Sequence, residues 1–273
     1  MLTCNARGRF NAWALEGVFW KADSLCNKHT PKMGCYIIHL KRAVARLPQV
    51  EYLLNRLPQG ARVIDAVDEK SLTREQLSAC QPFMVRPVYP FRLNRAEIAV
   101  FHSHRACWRQ LLNDGFDAAL IVEDDINLSE PEFAAAFELS LQHLSPGDFV
   151  RFPEKLRDKA GKLIARSGAT CLTEPRAIGL GMVAQIVTRD AAQALLAKTE
   201  RFDRPVDTFM QMRWHHRVRT LAVAPSGIAE ISDRLGGSLI KRRCSLAARC
   251  HREILRPIYR LGIALWSRWV TQP

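Results

Sequence analysis

Residues 118–125, Ala118-Ala119-Leu120-Ile121-Val122-Glu123-Asp124-Asp125, run five apolar positions straight into three consecutive acids. An apolar run of that length with β-branched residues reads as a buried strand, which delivers its acids to the C-terminal edge of a sheet. If strand geometry continued, Glu123 and Asp125 would project to the same side. Carboxylates packed this closely repel one another, so keeping all three ionised at neutral pH calls for a partner charge, and a hard divalent cation is the usual one. A strand that simply ends in a solvated acidic turn is the competing reading.

The flanking segments give that strand a context. Upstream, Ile98, Phe101, Trp108, Leu111 and Leu112 recur at helical spacing between Asn94, a good N-cap, and Gly115, which suits the residue beyond a helix end. His104 falls on or beside the buried stripe of this helix, where a lone histidine is more often a satisfied core residue than a ligand. Downstream, Ser129-x-x-Glu132 has the form of a capping box, opening a helix through Phe133, Phe137 and Leu141. The acids thus occupy a short strand-to-helix connection, the place where α/β sheets bind ligands.

The same alternation of elements runs through the rest of the chain. Cys35–Leu40 is the first convincing strand, followed by a helix ending at Pro58 and Gly60 and a second strand over Ala61–Val67. Further strands are expected at Asp148–Phe152, Ala177–Val187 and Thr220–Ala224, the last strand, with a polar, mobile stretch from Pro153 to Gly168. Thr188 caps a helix, and Pro205-Val206-Asp207 starts a short one. Strands alternating with helices give an α/β class. No G-x-G-x-x-G or Walker-type loop joins the first strands, which argues against a dinucleotide fold or a P-loop enzyme.

A net charge of +13 and a pI of 9.8 point to a polyanionic partner without choosing among nucleic acid, membrane and phosphorylated ligands. Eight cysteines without C-x-x-C pairs or zinc spacing read as reduced, mostly buried thiols of a cytosolic protein. No apolar run approaches the ~20 residues of a membrane span, and the N-terminus lacks a signal-peptide core. Three regions follow: 1–32, an extension upstream of the fold; 33–238, the folded domain; and 239–273, a basic tail. The tail sets eight lysines and arginines against one acid, Glu253, with Leu255, Ile258, Tyr259, Trp266 and other apolar residues interleaved. It reads as a helix on an anionic membrane surface, with a helix packed on the domain as the alternative. No nucleic-acid recognition fold accompanies the charge.

Several stretches, in order, match one pattern. Ile38-His39-Leu40-Lys41-Arg42-Ala43-Val44-Ala45-Arg46, Ala66-Val67-Asp68-Glu69-Lys70-Ser71-Leu72, Glu97-Ile98 with Ser103-His104 and Trp108, Leu120–Asp125, Ala184–Leu196 and Pro205-Val206-Asp207 resemble motifs of glycosyltransferase family 25. That family includes bacterial lipooligosaccharide galactosyltransferases and animal collagen galactosyltransferases. The chain departs from the pattern at His39, where the family has Asn, at Glu69, where it has a turn glycine, and at Gly181–Gln185, where it has G-T-H-A-Y.

The resemblance implies a GT-A fold, a Rossmann-like sheet with flanking helices that binds a nucleotide-sugar and a divalent metal, Mn²⁺ or Mg²⁺. On that footing Asp125 is the expected direct metal ligand, with Glu123 as a second, and Glu123 or Asp124 holds ribose or metal-bound water. Arg42 and Arg46 are expected at the diphosphate, with a solvated helix face as their alternative, and Asp68 at the nucleoside or as a turn former. Asp207 is the candidate base for inverting transfer, and Ser103, His104 and Trp108 support the acidic strand. The implied reaction moves a hexose, galactose from UDP-galactose first, onto a lipid-linked surface glycan at the inner face of the bacterial inner membrane. A catalytically degenerate, membrane-associated relative is the competing reading.

Overall fold

Side-chain alternation along the central strands fills two cores at once. Tyr36, Ile38, Ala119, Ile121, Phe149 and Val187 pack into one, while Cys35, Ile37, Ala118, Leu120, Val122, Val150 and Ile186 pack into the other. A strand buried on both faces must be apolar at nearly every position, which is why residues 118–122 read as an unbroken run. The computed structural model describes residues 31–155, 157–159, 161–237 and 246–270. All but the last two residues of the expected 1–32 extension fall outside that set.

In chain order the elements are β1 (Met33–His39), α1 (Leu47–Arg56), β2 (Arg62–Asp65), α2 (Arg74–Ser78), α3 (Arg95–Asn113), β3 (Ala118–Glu123), β4 (Ile126–Leu128) and α4 (Glu130–Gln142). There follow β5 (Asp148–Arg151), β6 (Lys162–Ser167), β7 (Thr170–Glu174), β8 (Ala184–Thr188), α5 (Arg189–Lys198), α6 (Val206–Met210), α7 (Arg213–His216), β9 (Arg219–Ala224), β10 (Ile228–Glu230) and α8 (Leu246–Val270). Eight strands form one mixed sheet in the order β2-β1-β3-β8-β5-β9-β7-β6, and β10 pairs with β4 in a two-stranded ribbon. β2, β1, β3, β5, β9 and β6 share one direction, with β8 and β7 running against it. Helices α3, α5, α6 and α8 cover one face, α1 and α4 the other. This is the expected mixed α/β class with a large central sheet and flanking helices.

Local chemistry sets the boundaries. Asn94 accepts from the Glu97 amide at 2.8 Å while Glu97 returns the bond to the Asn94 amide at 2.9 Å, so α3 begins with a full capping box. Thr188 caps α5 as expected. Ser129 precedes α4 but makes no side-chain cap bond, so the expected capping box does not form there. Pro131 in the first turn, with its φ already near helical, starts that helix instead.

Three other expectations change. The stretch 153–168 is not wholly irregular, because Lys162–Ser167 pairs with Thr170–Glu174 as a hairpin whose turn places Gly168 at φ +56. Of Ala177–Val187, only the part from Ala184 is strand. Thr220–Ala224 is not the last strand, since β10 follows it. Gly227, at φ +68, allows that return; a Cβ there would lie 2.3 Å from the Phe133 nitrogen. Among the cysteines, Cys35 and Cys107 are buried, and burial raises both thiols, Cys35 to about 12. Cys80 and Cys171 are free and partly covered.

His216, 1% exposed, ends α7 with both ring nitrogens engaged: Nδ1 accepts from the Val218 amide at 3.0 Å and Nε2 bonds the Met210 carbonyl at 3.1 Å. Burial, more than any neighbour, pushes its pKa down to about 4. The folded value lies below the unfolded ~6.5, so the stabilisation is complete above pH 6.5 and is lost as pH falls toward 4. Between pH 7.5 and pH 5 this group should cost about 2 kcal/mol of unfolding free energy. Urea titrations at the two pH values should show a smaller difference for His216→Gln than for the wild type; equal differences would exclude the histidine as the source.

Candidate active site

The alternation that fills the two cores also separates the three acids. Glu123 continues the face of Ala119 and Ile121 toward α3, and Asp124 continues the face of Leu120 and Val122 toward α1. The strand ends at Glu123, and Asp124-Asp125 forms a turn into β4, so the projection of Glu123 and Asp125 to one side does not come from continued strand geometry. All three acids nevertheless line one cavity of about 210 Å³ at the carboxyl ends of β1 and β3.

Asp124 is 4% exposed and fully engaged. Its Oδ2 accepts from His39 Nδ1 at 2.6 Å, and its Oδ1 from Arg46 Nη1 at 2.6 Å. Arg46, 4% exposed, also reaches Asp125 Oδ2 at 3.1 Å and donates to the Gly237 carbonyl at 3.3 Å. The solvated-face alternative for Arg46 is therefore wrong. Its guanidinium supplies the counter-charge for the acidic turn. His39, the position where the family pattern has Asn, is the second donor to Asp124 and leaves its buried Nε2 without a partner.

Asp125 keeps one buried oxygen, Oδ1, without a donor. Burial and then the charge of Glu123 push its pKa up to about 7, against the opposing pull of Arg46. Glu230 adds to the push. It lines the same cavity because β10 places it opposite Ile126, and no local pattern marks it in the sequence. On the α3 side, His104 Nε2 lies 3.5 Å from Glu123 Oε1, while its Nδ1 receives a bond from Gln185 Nε2 at 3.0 Å. A glutamine amide nitrogen only donates, so in this arrangement the histidine proton sits on Nε2, facing Glu123. Gln185, fully buried, comes from the departing Gly181–Gln185 segment.

The remaining expected residues are placed as follows. Arg42 lies at the mouth and pairs with Asp68 at 2.7 Å and Glu69 at 3.3 Å. Asp68 follows β2 by three residues and accepts from the Lys70 amide, a turn-forming bond that with Arg42 holds its pKa down. Ser103 accepts from the Val67 amide and donates to the Ala99 carbonyl, so it supports the 66–68 loop and not the acidic strand. Trp108 is fully buried, with its ring 6.5 Å from that of His104. Asp207 lies elsewhere, in a second cavity of about 750 Å³, where Oδ2 accepts from the Gly181 amide at 3.3 Å and Oδ1 from the Thr208 amide at 2.6 Å. Glu123 and Val100 line both cavities.

Among the described residues no three His, Cys, Asp or Glu side chains converge as a ready-made metal cluster. Of the three consecutive acids, with Asp124 committed to Arg46 and His39, the oxygens left for a hard cation are the orphaned Asp125 Oδ1 and the carboxylate of Glu123, 30% exposed. Two carboxylates suit a small divalent cation that takes its remaining ligands from water and substrate phosphate.

These features define an α/β domain with a carboxylate-lined ligand cleft where parallel strands end. Residues 33–210 match glycosyltransferase family 25 (LPS biosynthesis protein), and the chain belongs to that family. Human procollagen galactosyltransferase 2 is 32% identical over 110 residues, 38% of this chain and 18% of the relative. Procollagen galactosyltransferase 1 of Danio rerio is 30% identical over 128 residues, 44% of this chain and 20% of the relative. The chain thus spans about a fifth of the length of these curated relatives. Among solved structures, mannose-1-phosphate geranyltransferase from Thermus thermophilus overlaps 70% of the chain and 73% of its own at a TM-score of 0.36 and 11% identity, too loosely to carry an argument.

Replacing Arg46 would strand two buried carboxylates. Arg46→Leu should destabilise the fold by about 3–5 kcal/mol, whereas Arg56→Ala, which breaks the exposed pair with Glu130, should cost less than about 1 kcal/mol. Chemical unfolding of both variants checks the contrast, and equal losses would contradict the role given to Arg46.

Proposed function

We propose that the chain transfers a hexose, galactose from UDP-galactose in the first instance, onto a glycan acceptor with inversion at the anomeric carbon. The observation that carries this reading is that the acid-lined cavity at the strand ends and the cavity holding Asp207 share Glu123 as a common wall. In a member of a glycosyltransferase family, two adjoining cavities separated by a carboxylate match a donor site beside an acceptor site.

In this reading the diphosphate of the donor lies near Asp125 and Arg42, which can turn its fork from Asp68 and Glu69 to phosphate oxygens. The nucleoside rests on the apolar wall of Val67, Ala96 and Ala99. Mn²⁺ or Mg²⁺ held by Asp125 and Glu123 would, when bound, neutralise charge on the departing diphosphate. His104, its Nε2 proton facing Glu123 at 3.5 Å, stands ready to donate to that carboxylate. Asp207 takes the proton from the acceptor hydroxyl as its oxygen bonds to the anomeric carbon; the bond from that carbon to the diphosphate breaks, its electron pair leaving with UDP. Asp124 and Arg46, expected at the donor from sequence, act here by fixing the acidic turn.

The acceptor in this reading is a lipid-linked glycan of the lipopolysaccharide type, met at the inner face of a bacterial membrane. No helix among the described residues is long and apolar enough to cross a membrane. Helix α8 supports a peripheral approach instead. It packs on the domain through Tyr259, Ile263 and Ser267 and exposes Ile254, Ile258, Leu261 and Leu265 along its outer face. Their i, i+4, i+7, i+11 spacing is a single apolar stripe of the kind that enters a lipid interface.

Asp207→Asn should retain binding of UDP with Mn²⁺ by calorimetry while transfer from UDP-galactose falls about 100-fold or more. Asp125→Asn should lose the Mn²⁺-dependent part of UDP binding. A wild-type protein that binds no nucleotide-sugar at millimolar concentration would favour the catalytically degenerate relative. Replacing Ile258 and Leu265 with Glu should sharply reduce co-sedimentation with vesicles containing anionic phospholipid; unchanged sedimentation would remove the membrane role of the stripe.

A further inference from the structure

The cavity of about 750 Å³ beside Asp207 has one wall made by α8, which lies beyond the residues that match the family. Four cations line it: Arg157 and Lys159 from the loop after β5, and Arg256 and Arg260 from α8. They arrive from two segments about a hundred residues apart in sequence, so their convergence is made by the fold and not by a local run of basic residues. Among the described residues Arg157, Lys159 and Arg260 form no ion pair, and Arg256 reaches only Glu253, at 3.8 Å.

Three carboxylates share the cavity with the four cations, and each makes contacts elsewhere. Glu97 caps α3, Glu123 faces His104, and Asp207 accepts from the Gly181 and Thr208 amides. Tyr89, Phe91 and Tyr259 supply flat apolar surface against which a saccharide ring can lie. The wall is also held firmly. Arg204, fully buried, donates to the Tyr259 hydroxyl at 2.7 Å, to Asp203 at 2.6 Å and to the Val85 carbonyl at 2.6 Å. The Arg204 guanidinium lies within about 6 Å of the Tyr89 and Tyr259 ring centroids.

We propose that this cavity takes a phosphorylated saccharide as acceptor, and that Arg256 and Arg260 of α8 select it by its phosphate. The proposal rests on the transferase reading for the word acceptor, but the cavity's chemistry stands without it. Guanidinium forks pair with phosphate oxygens in two parallel bonds, and four cations against three carboxylates leave the cavity with an excess of positive charge that favours an anion. Neutral sugars would meet the same aromatic wall but offer no phosphate to the forks of Arg256 and Arg260. The selecting residues are positioned to act on acceptor affinity, not on the bond-making step.

Calorimetry with a phosphorylated lipopolysaccharide core oligosaccharide and with the same oligosaccharide after hydrofluoric acid dephosphorylation tests this directly. Both arginines are exposed, so Arg256→Gln with Arg260→Gln should fold normally. The wild type should bind the phosphorylated form about tenfold more tightly than the dephosphorylated one, a difference that shrinks with added salt. The double variant should bind both forms with the wild type's affinity for the dephosphorylated one, and its affinity for UDP with Mn²⁺ should not change. Equal binding of the two oligosaccharides by the wild type would overturn the proposal, as would discrimination that survives in the double variant. Loss of UDP binding in the double variant would also overturn it, by assigning the arginines to the donor. If the wild type discriminates but binds no UDP, the transferase reading fails while the phosphosaccharide site stands.

Discussion

Arg46 holds the acidic turn in one arrangement. Asp124 and Asp125 are buried carboxylates adjacent in sequence, and two like charges taken out of water into one turn need a counter-charge. One guanidinium nitrogen spans both, at 2.6 and 3.1 Å, and a histidine closes the remaining side of Asp124. The contact depends on strand register. β1 and β3 pair in parallel with Ile38 beside Glu123, so the chain leaving β1 reaches Arg46 directly over the turn that leaves β3. A one-residue slip would exchange the faces and separate the charges. Burying such a cluster is costly when any member is missing and tolerable when all are present, so the turn is rigid as a unit.

The same alternation gives three adjacent acids three different environments. Asp124 is structural, neutralised on the α1 side. Glu123 is turned to α3, partly exposed and near His104. Asp125, at the turn, keeps a buried oxygen with no donor. A single side chain could not distinguish the three roles; the pleat and the turn do so with no special residue chemistry. The departures from the family pattern fit this frame. His39 donates to Asp124, as an asparagine amide at that position also could, and Gln185 fixes the ring of His104. Both keep the carboxylates supported while changing the groups that do it.

Strong local signals were the legible ones. The buried strand, the capped helix α3, the helix at Thr188 and the α/β class all follow from periodicity and caps within a few residues of each other. The gathering of Arg42, Glu123, Asp124, Asp125, His104 and Asp68 at one end of the sheet also follows, once the strands are taken as parallel. What the sequence hides depends on pairing between distant segments. The β6–β7 hairpin has half-exposed strands with weak alternation, although Ser167-Gly168 is a turn signal. The β10 ribbon brings Glu230 to the cavity through its pairing with β4. The burial of Arg46 against the acidic turn was not legible either, because helical spacing shows which residues share a side, not what that side meets.

The tail shows the same limit from the other direction. Composition marks the tail as basic and amphipathic, which reads first as a membrane-surface helix and alternatively as one packed on the domain. In the structure Tyr259 and Ile263 turn inward onto the domain, and Ile254, Ile258, Leu261 and Leu265 turn outward. The inward face is joined to the cleft through Arg204, which precedes Asp207 by three residues and grips Tyr259 from within the core. Any displacement of α8 would strip a buried guanidinium of its hydroxyl partner and of one of its two aromatic neighbours, a loss that opposes movement of the helix away from the domain. A helix so tied cannot act as a free tether. It presents its outer stripe in a fixed relation to the cavity beside Asp207, so that a surface meeting the stripe also meets the mouth of the cleft at a defined height and angle.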